Sequence, residues 1–225
     1  MIGLLRKDVY VLNMTKLYLV RHGETILNQM EKMQGWIDSP LTKAGLDDAI
    51  RVGKKLADVK FDSVYTSDMM RTICTAEEII RQSKVNKEID ITSNAKYREI
   101  YFGSFEGESR EESWKKIGKF YGLESKIEIL QHIGFKRMLD LVKKTDSLHI
   151  AEDGDEIQQR ISQGLSIFEN VKERNILLVT HGMLIHAIAA KFGGKDIIDR
   201  GMPNNGSITV LNFSSNGWKI ESYNQ

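Results

Sequence analysis

Two histidines in this chain, His22 and His181, each end an apolar run and are each followed by a glycine. A third polar cluster, residues 67–71, follows another apolar run at 61–65. Short apolar runs are typical of buried strands, and open α/β sheets bind ligands outside the carboxyl ends of their strands. We therefore expect the three clusters to meet in one crevice. Two imidazoles gathered there with nearby guanidinium groups favour phosphoryl transfer through a histidine.

His22 is the candidate nucleophile. Imidazole is a good nucleophile near neutral pH, and a phosphorylated histidine is reactive enough to be hydrolysed again. Arg21 beside it and Arg71 in the third cluster carry planar guanidinium groups that suit phosphate oxygens. The alternatives are a partly buried structural histidine and, for Arg71, a solvated position on a helix.

A proton donor is also required, because cleavage of a phosphomonoester leaves an alkoxide. Glu99 is the best candidate, since the stretch 97–107 around it is rich in aromatic residues and interrupted by glycine, as a loop packed against a sheet would be. Glu106 and Glu24 are the alternatives. Spacing alone does not choose among the three, and a surface salt bridge is a further role open to each.

Charge and cysteine content exclude several classes of protein. The 32 lysine and arginine residues nearly balance 31 aspartate and glutamate residues, so no overall field points to nucleic acid or an anionic membrane. No run of about 18 apolar residues is present to span a membrane. The single cysteine, Cys74, excludes an intrachain disulfide and a Cys₄ zinc site, and it favours the cytoplasm. A metal site of His181 with His186 is disfavoured, because a five-residue spacing does not put both on one helix face.

Alternating strands and helices have to position these groups. The apolar periodicity predicts an α/β fold, a three-layer sandwich in which helices flank a mainly parallel central sheet. A length of 225 residues suits a single domain covering 1–225. The predicted strands are 16–20, 61–65, 88–92 and 176–180, the predicted helices are 42–58, 69–81, 157–171 and 184–192, and a terminal hairpin joins 207–213 to 218–223.

Three segments depart from this alternation. From about 109 to 151, helical spacing with glycine breaks predicts a helical insertion over the sheet edge and the site. Residues 1–13 precede Met14 and the first strand, either as a start-site extension or as a short added strand. The acidic string at 152–156 lacks the ligand spacing of a calcium loop and is typical of a helix N-terminus.

From residue 15 onward the chain resembles the phosphoglycerate mutase-like branch of the histidine phosphatase superfamily. RHGET at 21–25 with Asn28 is similar to the family's nucleophile loop, and QGWIDSPLT at 34–42 to the segment after it. SDMMRT at 67–72 and THG at 180–182 are similar to the segments that carry the second arginine and the second histidine. AED at 151–153 departs from the Gly-Glu-Ser common in the phosphatases, which weakens the transfer of a role to it.

The resemblance implies a role for each candidate. His22 would be the phosphorylated nucleophile, and Glu99 would protonate the leaving oxygen and then activate water. It implies no metal and no cofactor, and a small phosphorylated substrate as the partner, with no nucleic acid or membrane; the oligomeric state stays open. The phosphoryl oxygens would be bound by Arg21, Arg71 and His181, with Asn28, Gln34 and the Gly182 N–H as further contacts.

The residues after Glu99 bear on the reaction type. EIYFG at 99–103 differs from the Glu-Arg-His-Tyr-Gly of the mutases, and FEG at 105–107 resembles the phosphatase form. A phosphomonoester phosphatase is therefore expected, because Ile100 cannot bind a carboxylate or a second phosphate. Lys115 and Lys116 could supply substrate-binding charge, which leaves a cofactor-dependent phosphoglycerate mutase as the alternative, although a solvated helix face also explains them. A non-catalytic phosphoester-binding protein is a remote third possibility.

Overall fold

The computed structural model describes residues 14–169, 171 and 174–225, and within them a six-stranded mixed sheet forms the centre of the fold. The strand order is β3-β2-β4-β1-β5-β6. β1, β2, β3 and β4 pair in parallel, whereas β5 runs antiparallel to β1 and to β6. The strands are β1 Thr15–Arg21, β2 Ser63–Thr66, β3 Ile91–Ser93, β4 Asn175–Thr180, β5 Ile208–Ser214 and β6 Gly217–Ser222.

Helices cover both faces of this sheet, so the predicted three-layer α/β sandwich is confirmed. The second and third helices contribute to one apolar core, and the helices from the fourth onward contribute to the other. The helices are α1 Ile26–Gln29, α2 Lys43–Lys55, α3 Met70–Gln82, α4 Arg110–Gly118, α5 Lys126–Thr145, α6 Gly154–Ser166, α7 Gly182–Gly193 and α8 Lys195–Asp199. None of the helices in the described ranges is long and apolar enough to cross a membrane.

The apolar runs of the sequence become strands that are buried on both sides. In β4, Ile176 and Leu178 enter one core while Leu177 and Val179 enter the other, as the two-residue period of a strand requires. A strand covered on both faces reads as a continuous apolar run, which is why the sequence identified this one.

Two helices begin at a polar side chain that caps them. The Thr42 hydroxyl accepts the Gly45 N–H and caps α2. Asp153 accepts the N–H groups of Asp155 and Glu156 and caps α6, which confirms that the acidic string 152–156 begins a helix.

Several predicted boundaries are wrong. The strand expected at 88–92 lies at Ile91–Ser93, and the helix expected at 157–171 spans Gly154–Ser166. The periodicity misled the second prediction, because Phe168 continues the apolar pattern and is fully buried although it lies in the turn after the helix. The extension 1–13 lies outside the described residues. In the segment 109–151, Gly122 ends a short 3₁₀ turn with φ 67° and Gly134 kinks α5 with φ 78°, which accounts for the glycine breaks.

Candidate active site

The three polar clusters lie side by side because β2, β4 and β1 are adjacent parallel strands. Their carboxyl ends therefore reach the same edge of the sheet. His22 and His181 pack edge to face with ring centroids 5.2 Å apart. Ser67, which follows β2, lies with its Oγ 2.8 Å from Nε2 of His181.

The tautomer of His22 is set by its own loop. Nδ1 of His22 lies 2.8 Å from the Gly23 carbonyl oxygen, which can only accept, so Nδ1 carries the proton and Nε2 carries the lone pair. The side chain is 3% exposed. Burial, together with the nearby Arg71 and Arg21, holds the pKa of His22 well below its usual range. Consequently His22 is a neutral imidazole with a free Nε2 at neutral pH.

A close backbone contact holds this loop in place. A Cβ on Gly23 would lie 2.1 Å from the Gly45 carbonyl oxygen, so the loop and the start of α2 meet at a distance that only glycine allows. The Gly23 N–H donates to the Thr75 hydroxyl of α3 at 3.1 Å. Helices α2 and α3 therefore fix the position of the Gly23 carbonyl that orients His22.

Arg71 is fully buried beside the histidines, but most of its donors are already used. Nε donates to Nδ1 of His181 at 3.2 Å, and Nη1 donates to the Ile37 carbonyl at 3.0 Å and to Asp38 at 2.9 Å. Nη2 donates to the Gly35 carbonyl at 2.6 Å, which leaves one of the five N–H groups. Bidentate phosphate binding by Arg71 would thus require the segment 35–38 to release a hydrogen bond.

His181 is likewise engaged on both sides of its ring. Because Nδ1 accepts from Arg71, the proton lies on Nε2 and is donated to Ser67. Burial, Arg71 and His22 hold the pKa of His181 well below its usual range. In this structure His181 orients Arg71 and packs against His22, so contact with a phosphoryl oxygen would require exchange of one of its two partners.

Arg21 offers the clearest unsatisfied donor. Its Nη1 donates to the Pro203 carbonyl at 2.7 Å, whereas its Nε is buried and has no hydrogen-bond partner among the described residues. Gly182, the first residue of α7, lies flat against the guanidinium: a Cβ there would be 3.0 Å from Nε. Burial lowers the pKa of Arg21 to about 10, so it is still a cation at neutral pH. Both residues line a pocket of about 160 Å³.

Of the three candidate glutamates, Glu99 alone lines this pocket. Its Oε1 accepts the N–H groups of Ile100 and Leu184 at 3.0 Å each, and its Oε2 accepts that of Met183 at 2.9 Å. The positive end of α7 thus faces the carboxylate and fixes it.

Glu106 and Glu24 have structural partners instead. Glu106 accepts four backbone N–H groups, from Gly35, Trp36, Ile37 and Phe102, at 2.9–3.1 Å. It therefore organises the segment that holds Arg71. Glu24 accepts from the Thr42 hydroxyl at 2.7 Å, at the start of α2.

Replacing Glu106 with alanine should lower the free energy of unfolding by about 2–3 kcal/mol, because several backbone N–H groups lose a charged acceptor. Urea denaturation measures this. Glu108→Ala is the matched control, since Glu108 is exposed and its side chain has no hydrogen-bond or ion-pair partner in the described structure, and it should change stability little. Equal stability of the two variants would contradict the structural role of Glu106.

Asn28 and Gln34 line the pocket and bind each other. Nδ2 of Asn28 donates to Oε1 of Gln34 at 3.2 Å, and that oxygen also accepts from the Thr25 hydroxyl at 2.6 Å. Nε2 of Gln34 donates to Ser39 at 3.1 Å. Both side chains are therefore fixed by the loop around them.

Sequence reasoning missed Asn205, whose Nδ2 donates to the His22 carbonyl at 3.0 Å and to Oδ1 of Asn28 at 3.2 Å. It lies just before β5. Because β5 is antiparallel to β1, its beginning lies at the end of β1, so the turn-prone residues 203–206 could have been assigned to the site.

The pocket's remaining charged residues were also missed. Lys32, Arg110 and Lys126 line it, whereas Lys115 and Lys116 do not. Lys115 pairs with Glu111 at 2.7 Å on the exposed side of α4. Lys115 therefore belongs to the solvated face of α4 and not to the pocket.

Cys74 and His186 do not line this pocket. Cys74 is half-buried and lines a separate surface groove. Nδ1 of His186 lies 3.0 Å from the Tyr223 hydroxyl. No group of three or more histidine, cysteine, aspartate or glutamate side chains within the described ranges is arranged to hold a metal ion.

A known protein family matches a part of this chain that contains every site residue described above. The family model of the histidine phosphatase superfamily (branch 1) matches residues 17–225. The chain belongs to this superfamily.

The crystal structure of the phosphoglycerate mutase from Bacillus anthracis str. Sterne is similar over 95% of this chain and 94% of its own, with 32% identity and a TM-score of 0.88. The uncharacterized phosphatase PhoE of Bacillus subtilis (strain 168) is 27% identical over 213 residues, which is 94% of this chain and 95% of that protein. Matches with several curated relatives cover only 34% to 41% of the relative's length. One of them, the fructose-2,6-bisphosphatase TIGAR of Bos taurus, is 41% identical over 92 residues, 40% of this chain. Membership in the superfamily therefore does not choose between phosphatase and mutase.

The segment 151–153, which departs from the phosphatase pattern in the sequence, contacts the loop that carries Glu99. Glu152 binds Arg160 through two contacts of 2.8 Å and accepts the Tyr101 N–H at 2.8 Å. Arg160 in turn donates to the carbonyls of Arg98 at 2.6 Å and Glu99 at 3.1 Å. Glu152 thus binds Arg160 and the Tyr101 N–H, although residues 151 and 153 on either side of it differ from the phosphatase pattern.

Proposed function

We propose that this chain is a phosphomonoester hydrolase that acts on a small phosphorylated metabolite through a phosphohistidine at His22, without a metal ion. The observation that carries the proposal is the hydrogen bond from Nδ1 of His22 to the Gly23 carbonyl, which leaves Nε2 unprotonated. Arg21, whose buried Nε has no hydrogen-bond partner among the described residues, and Glu99 line the pocket next to this loop.

In the first half of the proposed reaction, Nε2 of His22 attacks phosphorus and the bond to the ester oxygen breaks. Glu99, carrying one proton, gives it to the departing oxygen, and the alcohol leaves. The imidazole becomes a phosphoimidazolium whose remaining proton is on Nδ1, where the Gly23 carbonyl accepts it. Arg21 and the remaining N–H of Arg71 offset charge on the phosphoryl oxygens.

In the second half, ionised Glu99 takes a proton from water, and the hydroxide attacks phosphorus. The bond from phosphorus to Nε2 breaks, inorganic phosphate leaves, and His22 returns to the neutral tautomer. Asn28 and Gln34, which hold each other at the pocket wall, are proposed as further contacts to the transferred group.

A cofactor-dependent phosphoglycerate mutase is the second candidate, favoured by the similarity to the Bacillus anthracis mutase structure. The position after Glu99 speaks against it. Ile100 is fully buried in the core and does not line the pocket, so it offers nothing to a substrate.

Two assays separate these candidates. Hydrolysis of p-nitrophenyl phosphate should be unchanged after treatment with EDTA, and loss of activity restored by a divalent metal would contradict the metal-free mechanism. A panel of small phosphometabolites should release inorganic phosphate without 2,3-bisphosphoglycerate. Isomerisation of phosphoglycerate that depends on this compound, with no phosphate release, would instead establish the mutase.

A further inference from the structure

Positive charge is concentrated in the pocket that Arg21 and Glu99 line. Four cationic side chains line it, namely Arg21, Lys32, Arg110 and Lys126, and Glu99 is the one carboxylate among its lining residues. The whole chain has a net charge of only +1, so this concentration is local.

Three of these four cations have no ion pair within the described part of the chain. Arg110 pairs with Glu31 at 2.8 Å. Lys32 and Lys126, by contrast, have no ion pair or side-chain hydrogen bond within the part of the chain that the structure describes. Arg21 is assigned to the transferred phosphoryl group, so the two lysines remain without a role in the hydrolysis itself.

The position of Lys126 is electrostatically unfavourable without a ligand. It is the first residue of α5, after the Ser125 cap, where the helix presents its positive end. Burial, Arg21 and Arg110 lower the pKa of Lys126 to about 8, and Glu99 is the group that opposes this shift. His186 of α7 also lies in its field, since Lys126 helps to lower the pKa of that histidine. An anion between these cations would relieve the repulsion.

The remaining wall limits the size of the ligand. Met33, Phe102, Trp114 and Met202 supply apolar surface around the cations. The volume of about 160 Å³ is well below the roughly 300–1,000 Å³ of pockets for drug-sized ligands. A short carbon skeleton between two anionic groups fits these dimensions better than a nucleotide does.

We propose that Lys126, assisted by Lys32 and Arg110, binds a second anionic group of the substrate, so that the substrate is a small phosphomonoester bearing a carboxylate or a second phosphate. This inference rests on the proposed hydrolase function and specifies its substrate class. Lys126 is then a specificity-determining residue contributed by the helical segment 109–151.

Matched substrates test this proposal. Propyl phosphate, 3-phosphonooxypropanoate and propane-1,3-diyl bisphosphate share one skeleton and differ in the distal group: none, a carboxylate or a phosphate. The wild-type enzyme should favour at least one anionic compound over propyl phosphate by about tenfold or more in kcat/KM. The two anionic compounds separate carboxylate from phosphate recognition.

Two variants test whether Lys126 causes the preference for an anionic substrate. The preference is the ratio of kcat/KM for the favoured anionic compound to kcat/KM for propyl phosphate. Lys126→Met, which keeps the length of the side chain, should reduce this ratio by about tenfold. Lys115→Met is the matched control, because Lys115 pairs with Glu111 outside the pocket, and it should leave the ratio unchanged. An unchanged ratio in Lys126→Met would overturn the proposal, even if both rates fell together.

The pH dependence of the same ratio is a second readout. Above pH about 8 the free lysine loses its proton, so the wild-type preference should decline there. Titration of the ester phosphate and of His22 affects both substrates and cancels in the ratio. Lys126→Met should show no such decline, and a decline retained in that variant would contradict the assignment.

Failure of the proposed function has a distinct signature. If the wild-type protein hydrolyses neither p-nitrophenyl phosphate nor any of the three compounds, the hydrolase proposal fails. Calorimetric affinities of the same compounds for wild type and Lys126→Met then test the second-anion site. Equal affinities for propyl phosphate and both anionic compounds would overturn the inference.

Discussion

Replacing His22 with alanine should reduce kcat/KM for p-nitrophenyl phosphate by about 10⁴-fold or more, to the level left by binding alone. The reason is that, of the two histidines at the strand ends, His22 is the one with a ring nitrogen that is neither protonated nor hydrogen-bonded in the described structure. Both nitrogens of His181 are engaged, one by Arg71 and one by Ser67. Steady-state assays with the purified variant measure the effect.

The control for this variant is His132→Ala, since His132 is an exposed histidine of α5. It should retain full activity. Circular dichroism and thermal unfolding establish that His22→Ala is folded, as expected when a buried side chain at a loop is shortened. Substantial turnover by folded His22→Ala would remove the phosphohistidine mechanism.

Replacing Glu99 with glutamine should slow turnover by about 10²–10⁴-fold for alkyl phosphates, whose leaving groups need a proton, and much less for p-nitrophenyl phosphate. Glutamine keeps the shape of the side chain but cannot transfer the proton. The measurement is kcat/KM across a series of leaving groups, because this constant reports phosphorylation of the histidine and excludes the later hydrolysis step. The dependence on leaving-group pKa should become steeper.

Glu24→Gln is the matched control, since Glu24 binds the Thr42 hydroxyl at the start of α2 and does not line the pocket. Its leaving-group dependence should equal that of the wild type. An equal rate loss for every leaving group in Glu99→Gln would assign Glu99 a role in orientation or binding instead of proton transfer.

The central part of the site could be predicted from sequence because strand ends carry it. Buried parallel strands appear as apolar runs, and their carboxyl ends converge by topology alone. His22, His181 and Ser67 are therefore brought together by β1, β4 and β2.

The choice among glutamates could not be predicted, because long-range hydrogen bonds decide it. Glu106 meets the N–H groups of the segment 35–37, about 70 positions earlier, while Glu99 meets the first turn of α7. The same holds for Arg71, whose expected freedom to bind phosphate is limited by carbonyls of Gly35 and Ile37. No local pattern encodes these contacts.

The insertion was the least predictable part of the pocket. Lys115 and Lys126 are both lysines at helical positions, but one pairs with Glu111 on an exposed face and the other faces Arg21 and Arg110. Their difference depends on how α4 and α5 pack over the sheet, where Gly122 and Gly134 set the chain direction.

The most direct test of the central claim is to trap the phosphorylated protein. Rapid quenching of the wild type with a ³²P-labelled phosphomonoester should give label that is stable in alkali, labile in acid, and located on the peptide that contains His22. With labelled p-nitrophenyl phosphate, whose leaving group needs no proton, Glu99→Gln should accumulate more of this label, because its hydrolysis lacks the base, and His22→Ala should carry none. Turnover without labelled protein, or label on another residue such as Cys74, would contradict the account.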